Sequence, residues 1–162
     1  MELYIRKVRP EDLDRVTEVE SLCFPEAEAA TRESFAYRIS AFPDSFYVGE
    51  VDGVIVALVN GCCTNKPFIC DELYEPDGGH DPNGENQTIF GLATHPDFQR
   101  QGIAEQMMNH IIGVARAAGR KRMVLTCKDK LIHYYEKFGY ENKGVSESVH
   151  GGVVWYDMVM EL

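Results

Sequence analysis

From Gln99 to Ala104 the chain reads Gln-Arg-Gln-Gly-Ile-Ala, and these residue types at this spacing suit the binding of an anion. A strand-like run ends just before them and a helical pattern begins at Ile103. The first amides of a helix lack intrahelical acceptors and carry partial positive charge, so a phosphate is favoured there if the chain lets it approach. Gly102 removes a side chain at the turn, Ala104 is nearly as small, and Arg100 adds charge beside it. The stretch fits neither GxxxxGK[ST] nor GxGxxG. From the residues alone, a plain strand-to-helix turn with one glycine is an equally good reading.

The elements that must position this turn follow from hydrophobic period. Residues 103–118 put Ile103, Met107, Ile111 and Ala115 in one row and Ala104, Met108 and Ile112 in the next, the apolar face of an amphipathic helix that Gly119 ends. Upstream, residues 3–8 alternate as a strand. Residues 9–24 read as a helix with Pro10 and acids in its first turn, and residues 31–42 as a second helix capped by Thr31. Residues 45–63 read as a β-hairpin turning at Asp52-Gly53. Residues 64–87 hold three prolines, three glycines and six acids, a long loop with a helical turn near residues 70–74. Then come a strand at 88–95, the long helix, a buried-type strand at 122–127, a short helix ending at Gly139 and a closing hairpin. The order β-α-α-β-β-loop-β-α-β-α-β-β predicts an α/β fold: about seven mostly antiparallel strands in a mixed sheet, with helices on both faces.

Composition narrows the function classes. The 162 residues suit a single domain, 1–162, with 44% hydrophobic and 26% charged residues. The net charge of −10 argues against nucleic acid as the main partner. Residues 1–98 carry 7 basic and 19 acidic side chains, whereas residues 99–130 carry 7 and 2. A basic island in an acidic chain suits one anionic ligand, or simply solvated charges at helix ends. No run of about 18 uncharged apolar residues spans a membrane and no secretory leader opens the chain, which predicts a cytoplasmic protein. Five cysteines without a CxxC pair read as reduced thiols, and no metal-ligand spacing suggests zinc.

Gln99-x-x-Gly102-x-Ala104 resembles the Q/R-x-x-G-x-G/A signature of the GNAT superfamily of acetyl-CoA-dependent N-acetyltransferases. The stretches LATHPDFQRQGIA (residues 92–104) and VLTCKDKLIHYYEKFGY (residues 124–140) resemble segments of the serotonin (arylalkylamine) N-acetyltransferase group, and the element order is similar over nearly the whole chain. This resemblance implies the GNAT fold, acetyl-CoA as co-substrate, no metal, and a small-molecule primary amine as acceptor. It implies that backbone groups of Leu92, Ala93 and Thr94 bind the pantetheine arm. Main-chain amides of Arg100, Gln101, Gly102, Ile103, Ala104 and Glu105 would bind the pyrophosphate. Arg116, Arg120, Lys121 and Arg122 sit at the far end of the helix, roughly 20 Å away at 1.5 Å per residue, and read as helix-end charges.

Acetyl transfer to an amine needs a proton acceptor for the amine, donors for the developing oxyanion and a proton for the departing thiolate. Tyr135 matches the family's tyrosine that protonates the thiolate, with Tyr134 as fallback; its bland role is a packed aromatic. The two histidines that serve as base in the serotonin-acetylating group correspond here to Thr88 and Phe90, and neither accepts a proton. His80 in the long loop is the preferred substitute, with Asp71, Glu72 or backbone-held water as alternatives. Cys127 reads as packing rather than as an acetyl-cysteine nucleophile. The acceptor is expected against residues 24–34 and 62–87. The leading expectation is direct transfer in a ternary complex. The alternatives are a non-catalytic acyl-CoA-binding or sensing module, which the missing histidines motivate, or a protein or peptide N-acetyltransferase. The closing hairpin either pairs across a homodimer or completes the sheet.

Overall fold

The computed structural model describes residues 2–76 and 78–162, so Asp77, one of the six acids of the long loop, lies outside the described residues. In chain order the elements are β1 (Tyr4–Lys7), α1 (Leu13–Cys23), α2 (Arg32–Ala41), β2 (Phe46–Val51), β3 (Val54–Asn60), β4 (Cys63–Thr64), β5 (Asn86–Ile89), β6 (Gly91–Thr94), α3 (Ile103–Ala117), β7 (Arg122–Cys127), α4 (Ile132–Glu136), β8 (Glu141–Val145) and β9 (Tyr156–Glu161). The local signals work as their chemistry requires. Thr31 caps α2 by accepting from the Ser34 amide at 3.1 Å. The β2–β3 turn has φ of 52° at Asp52 and 79° at Gly53, the pair of left-handed residues that a tight hairpin demands.

The seven expected strands become nine segments because two of them break. Residues 54–64 split at Gly61-Cys62 into β3 and β4, and residues 86–94 split at Phe90 into β5 and β6. The halves enter different sheets. One sheet has the order β1-β2-β3-β6 and the other β4-β5-β7-β9-β8. Every pairing is antiparallel except β5 with β7. The break is tight: a Cβ on Gly61 would lie 1.9 Å from the Thr88 carbonyl oxygen, so only glycine fits where the two kinked strands cross. Strand β9 lies between β7 and β8, so the closing segment completes the second sheet.

The first sheet is buried on both faces. Phe46, Val48, Ile55 and Leu58 pack with Val16 and Val19 of α1 and Phe35 and Ile39 of α2. Tyr47, Val56 and Val59 pack instead with Ile103, Met107, Met108 and Ile111 of α3, the rows that the period predicts. The far end of α3 closes with Arg120 N donating to Ala115 O at 3.0 Å and Gly119 at φ 77°. Its basic residues meet specific partners beyond the helix dipole. Arg120 Nη1 donates to the carbonyls of Pro82 and Gly84, both at 2.8 Å, Lys121 pairs with Glu85, and Arg122 pairs with Glu161. The basic island thus ties the long loop and the last strand to the end of α3.

Candidate active site

Where β5 gives way to β6, the chain leaves the second sheet and enters the first. Ile89 still pairs with Leu125 of β7, but Gly91–Thr94 pair only with β3. Strands β6 and β7 therefore diverge, and β6 becomes the edge of its sheet. His95 N donates to Val56 O at 2.7 Å. Antiparallel pairing alternates along the strand, so the polar groups of Ala93 face β3, whereas those of Leu92 face the open edge. The alternation separates the three adjacent residues expected to offer backbone groups. The Thr94 carbonyl is already engaged by Gln99 Nε2 at 3.0 Å and the Cys23 thiol at 3.1 Å.

The cleft opened by this divergence has a volume of ≈ 990 Å³. One wall carries Leu92 and Gln99, and the other Cys127, Lys128 and Tyr135. At one end of α3, Gly102 adopts φ 78° and Arg100 φ 63°, and Gly102 supplies no side-chain cap. The first helical bond runs from Gln106 N to Gly102 O at 3.2 Å, which leaves the amides of Ile103, Ala104 and Glu105 without intrahelical acceptors. A Cβ on Gly102 would meet nothing within 4 Å, so the local demand for glycine comes from the backbone angle. Arg100, Gln101, Gly102 and Glu105 are exposed at this turn, outside the lining of the cleft. The glutamine that opens the motif is structural, bracing the turn against the end of β6.

Tyr135 lies in the cleft wall, stacked edge-on against Tyr134 and Tyr140. Burial, with Tyr134 and Cys127 adding to it, holds its phenol well above its ordinary value, so it keeps its proton at neutral pH. Tyr134 is only partly buried and stands outside the cleft lining. The Cys127 thiol is pushed up to about 11 by burial and by Asp129, so it stays a thiol at neutral pH.

His80 is set apart from this cleft. Its Nδ1 accepts from the Cys63 amide at 3.1 Å, and its ring packs on Phe42 with centroids 5.0 Å apart. Burial and the charge of Arg120 lower its pKa. The ring thereby anchors the long loop to β4. Thr88 is fully buried and donates its hydroxyl to Cys62 O at 2.9 Å, while Phe90 lines the cleft. Asp71 lines the mouth but accepts from Ser148 Oγ and the Val149 amide.

Two buried charged groups of the cleft lining come from the two N-terminal helices. Glu20 of α1 is 4% exposed and Arg38 of α2 is 5% exposed, and both line the cleft. Glu20 Oε2 accepts from the Ala30 amide at 2.9 Å, and Oε1 has no hydrogen-bond partner. Burial raises its pKa against the opposing pull of that amide and of Arg38. Arg38 Nη1 donates to Asn60 Oδ1 at 3.0 Å. Its guanidinium lies over Phe90, 4.9 Å from the ring centroid, and 5.5 Å from that of Phe35. A third wall comes from the segment between β8 and β9. His150 Nε2 meets Glu28 O at 3.0 Å and stacks on Tyr74, and Trp155 Nε1 donates to His150 O at 2.8 Å. The expected acceptor segments, residues 24–34 and 62–87, do contribute to the cleft, but Glu20, Arg38, His150 and Trp155 have no motif of their own. The available signal for the first two was charge at apolar positions: Glu20 follows Leu13 and Val16 at helical spacing, and Arg38 sits between Phe35 and Ile39.

The model for the acetyltransferase (GNAT) family matches residues 13–140, most of the chain. The chain belongs to this family. Its mixed fold with helices on both faces is the GNAT fold. It is 24% identical over 144 residues to the probable hydrolase YhcX of Bacillus subtilis, matching 82% of this chain and 27% of that one. It is 28% identical over 114 residues to serotonin N-acetyltransferase of Mesocricetus auratus, matching 68% of this chain and 53% of that one. The chain thus spans about a quarter and about half of these relatives' lengths. Among solved structures, the GphF GNAT-like decarboxylase in complex with isobutyryl-CoA superposes with a TM-score of 0.84, at 20% identity and 98% coverage of both chains. Among the described residues no group of three His, Cys, Asp or Glu is arranged to hold a metal ion, and no helix is long and apolar enough to cross a membrane.

Proposed function

We propose that this GNAT acetyltransferase moves the acetyl group of acetyl-CoA directly to a primary amine within a ternary complex. The observation that carries the reading is the cleft itself, an open strand edge at Leu92 facing a protonated Tyr135, with a buried carboxylate at Glu20 in its lining. In this reading the pantetheine arm lies along β6 as an added strand, using the outward groups of Leu92 and the outward amide of Thr94, with Ala93 holding the strand to β3. The pyrophosphate takes the amides of the turn from Arg100 through Glu105, with Gly102 and Ala104 giving it room and Ile103 anchoring the helix in the core.

Glu20 takes the proton of the acceptor ammonium, in place of His80, because it lines the cleft and His80 does not. Burial moves its pKa upward, toward that of the ammonium it deprotonates. The amine lone pair then attacks the thioester carbonyl, and the oxyanion meets the outward Leu92 amide. On collapse the carbon–sulfur bond breaks and Tyr135 gives its proton to the leaving thiolate, recovering the second proton that the acylated nitrogen sheds, while Glu20 returns the first to solvent. Acetyl-CoA and an ammonium become an N-acetyl amine, coenzyme A and one proton. Direct transfer is favoured because the thiols in the lining, Cys23 and Cys127, are both pushed upward by burial and hold their protons at neutral pH.

The test is a thiol-release assay with acetyl-CoA and a panel of primary amines, run on the parent chain and on Tyr135→Phe. Release by the parent with at least one amine, cut about 100-fold or more in the variant at unchanged acetyl-CoA affinity, is the expected result. Coenzyme binding with no release for any amine or peptide would leave an acyl-CoA-binding module as the better description.

A further inference from the structure

The wall formed by Glu20 and Arg38, with Asn60 behind it, holds more polar chemistry than proton transfer needs. Glu20 Oε1, Arg38 Nε and Asn60 Nδ2 are all buried and all lack a hydrogen-bond partner. Two of them converge on one point: a Cβ placed on Gly91 would lie 3.5 Å from Asn60 Nδ2 and 3.5 Å from Glu20 Oε1. Gly91 itself lines the cleft at the start of β6, one residue before the outward amide of Leu92. The unpartnered oxygen of Glu20 thus lies beside the strand on which the thioester is proposed to lie.

Glu20 and Arg38 feel one another's charge, yet no ion pair within 4.0 Å joins them. Burying two opposite charges without direct contact leaves each with much of its desolvation cost. The arrangement is rational if a third species with both charges completes it. Arg38 is also held in the manner of a recognition residue. Phe35 and Phe90 flank its guanidinium, and Asn60 takes Nη1, so the edge bearing Nε remains for in-plane bonds. That edge presents two parallel N–H groups, the fork that matches a carboxylate.

We infer that the acceptor is an α-amino acid: its carboxylate meets Arg38, which Asn60 holds from behind, and its ammonium faces Glu20 beside Gly91. This inference rests on the proposed amine acetyltransferase reading and narrows its acceptor class. The rings of Phe24, Tyr74, Phe90 and Trp155 also line the cleft, which favours aromatic or large apolar side chains over small ones. The group transfer is the one written above, with the amino acid's nitrogen forming the new amide bond and its carboxylate unchanged.

The experiment measures kcat/KM for matched sets of acceptors with acetyl-CoA: L-phenylalanine, its primary amide, phenethylamine and a short peptide with N-terminal phenylalanine, with parallel sets built on leucine, tryptophan and methionine. The free acid of at least one set is expected to exceed its amide, amine and peptide by about 100-fold or more, since the analogues leave the buried Arg38 unpaired. In Arg38→Gln that ratio should fall toward unity, and in Arg38→Lys it should be intermediate, whereas loss of a merely structural arginine would lower all members of a set alike. Amines or peptides turned over as well as the acids would overturn the inference and leave the acetyltransferase reading intact. Release with no acceptor, despite bound acetyl-CoA, would overturn both.

Discussion

At the scale of single residues, the proposed transfer depends on two groups whose environments push their proton affinities in useful directions. Tyr135 is kept protonated by burial, as a donor to a thiolate must be. Glu20 is raised from the ordinary 4.5 by burial, while the Ala30 amide and Arg38 limit the rise. The sign matters for both stability and rate. A raised carboxyl means that the folded state holds the proton more tightly. Its stabilising contribution is therefore full below about pH 4.5 and is lost as pH rises through the folded value. Glu20 ionised at neutral pH is a cost to stability that its proposed role as base would explain. The rate should have the opposite dependence, since only the carboxylate accepts a proton. The acidic limb of kcat/KM should lie above pH 4.5, and Glu20→Gln should abolish that limb while lowering kcat about 10² to 10⁴-fold. A pH–rate profile from pH 5 to 9 on both proteins checks this, and a limb that survives in the variant would assign the base elsewhere.

At the scale of elements, the cleft is a consequence of two strand breaks that coincide. β3 ends where β4 begins, opposite the point where β5 ends and β6 begins, so one kinked hairpin sends its halves to two sheets. Gly61 allows the crossing, with Thr88 O at 1.9 Å from any Cβ. Gly61→Ala should destabilise the fold by about 3 kcal/mol, the upper part of the range for overpacking, because the obstacle is backbone. Urea unfolding of the two proteins measures it; a shift below about 1 kcal/mol would mean that the break relaxes easily. This is also where sequence reading stopped. The period of α3, the Asp52-Gly53 turn and the Gly102 motif were legible because each is a local signal. The breaks at Gly61 and Phe90 were not, since a single glycine beside an otherwise extended run does not mark a change of partner strand. Glu20 and Arg38 were hidden for a related reason: a charge on an apolar helix face is informative only once the opposite wall of the cleft is known.

At the scale of the molecule, the uneven charge has two separate explanations. The acidic surplus lies in the N-terminal half, which supplies Glu20, Glu26, Glu28, Asp71 and Glu75 to the cleft. Of the basic island, Arg100 stands at the motif end of α3, Arg116 lies in its last turn, Arg120, Lys121 and Arg122 beyond that turn hold the long loop and β9, and Lys128 and Lys130 line the cleft, where Lys128 pairs with Glu28. If that division is right, the two ends of α3 are separable by experiment. Arg120→Gln removes the donor to Pro82 O and Gly84 O, both at 2.8 Å, and hydrogen bonds from a charged group are worth about 1.5 kcal/mol or more when buried, less here at a partly exposed site. A loss near 1 kcal/mol should lower Tm by about 2–4 °C in a chain of this size. Coenzyme A at 100 times its Kd should add about 2.7 kcal/mol to the parent, a rise of roughly 5–10 °C. Since Arg120 lies about 20 residues beyond the turn that is proposed to hold the pyrophosphate, the variant should start lower and gain the same increment. Thermal melts of both proteins across a coenzyme A titration read the two quantities at once. An increment reduced along with the baseline would mean that the basic end of α3 contributes to coenzyme binding after all.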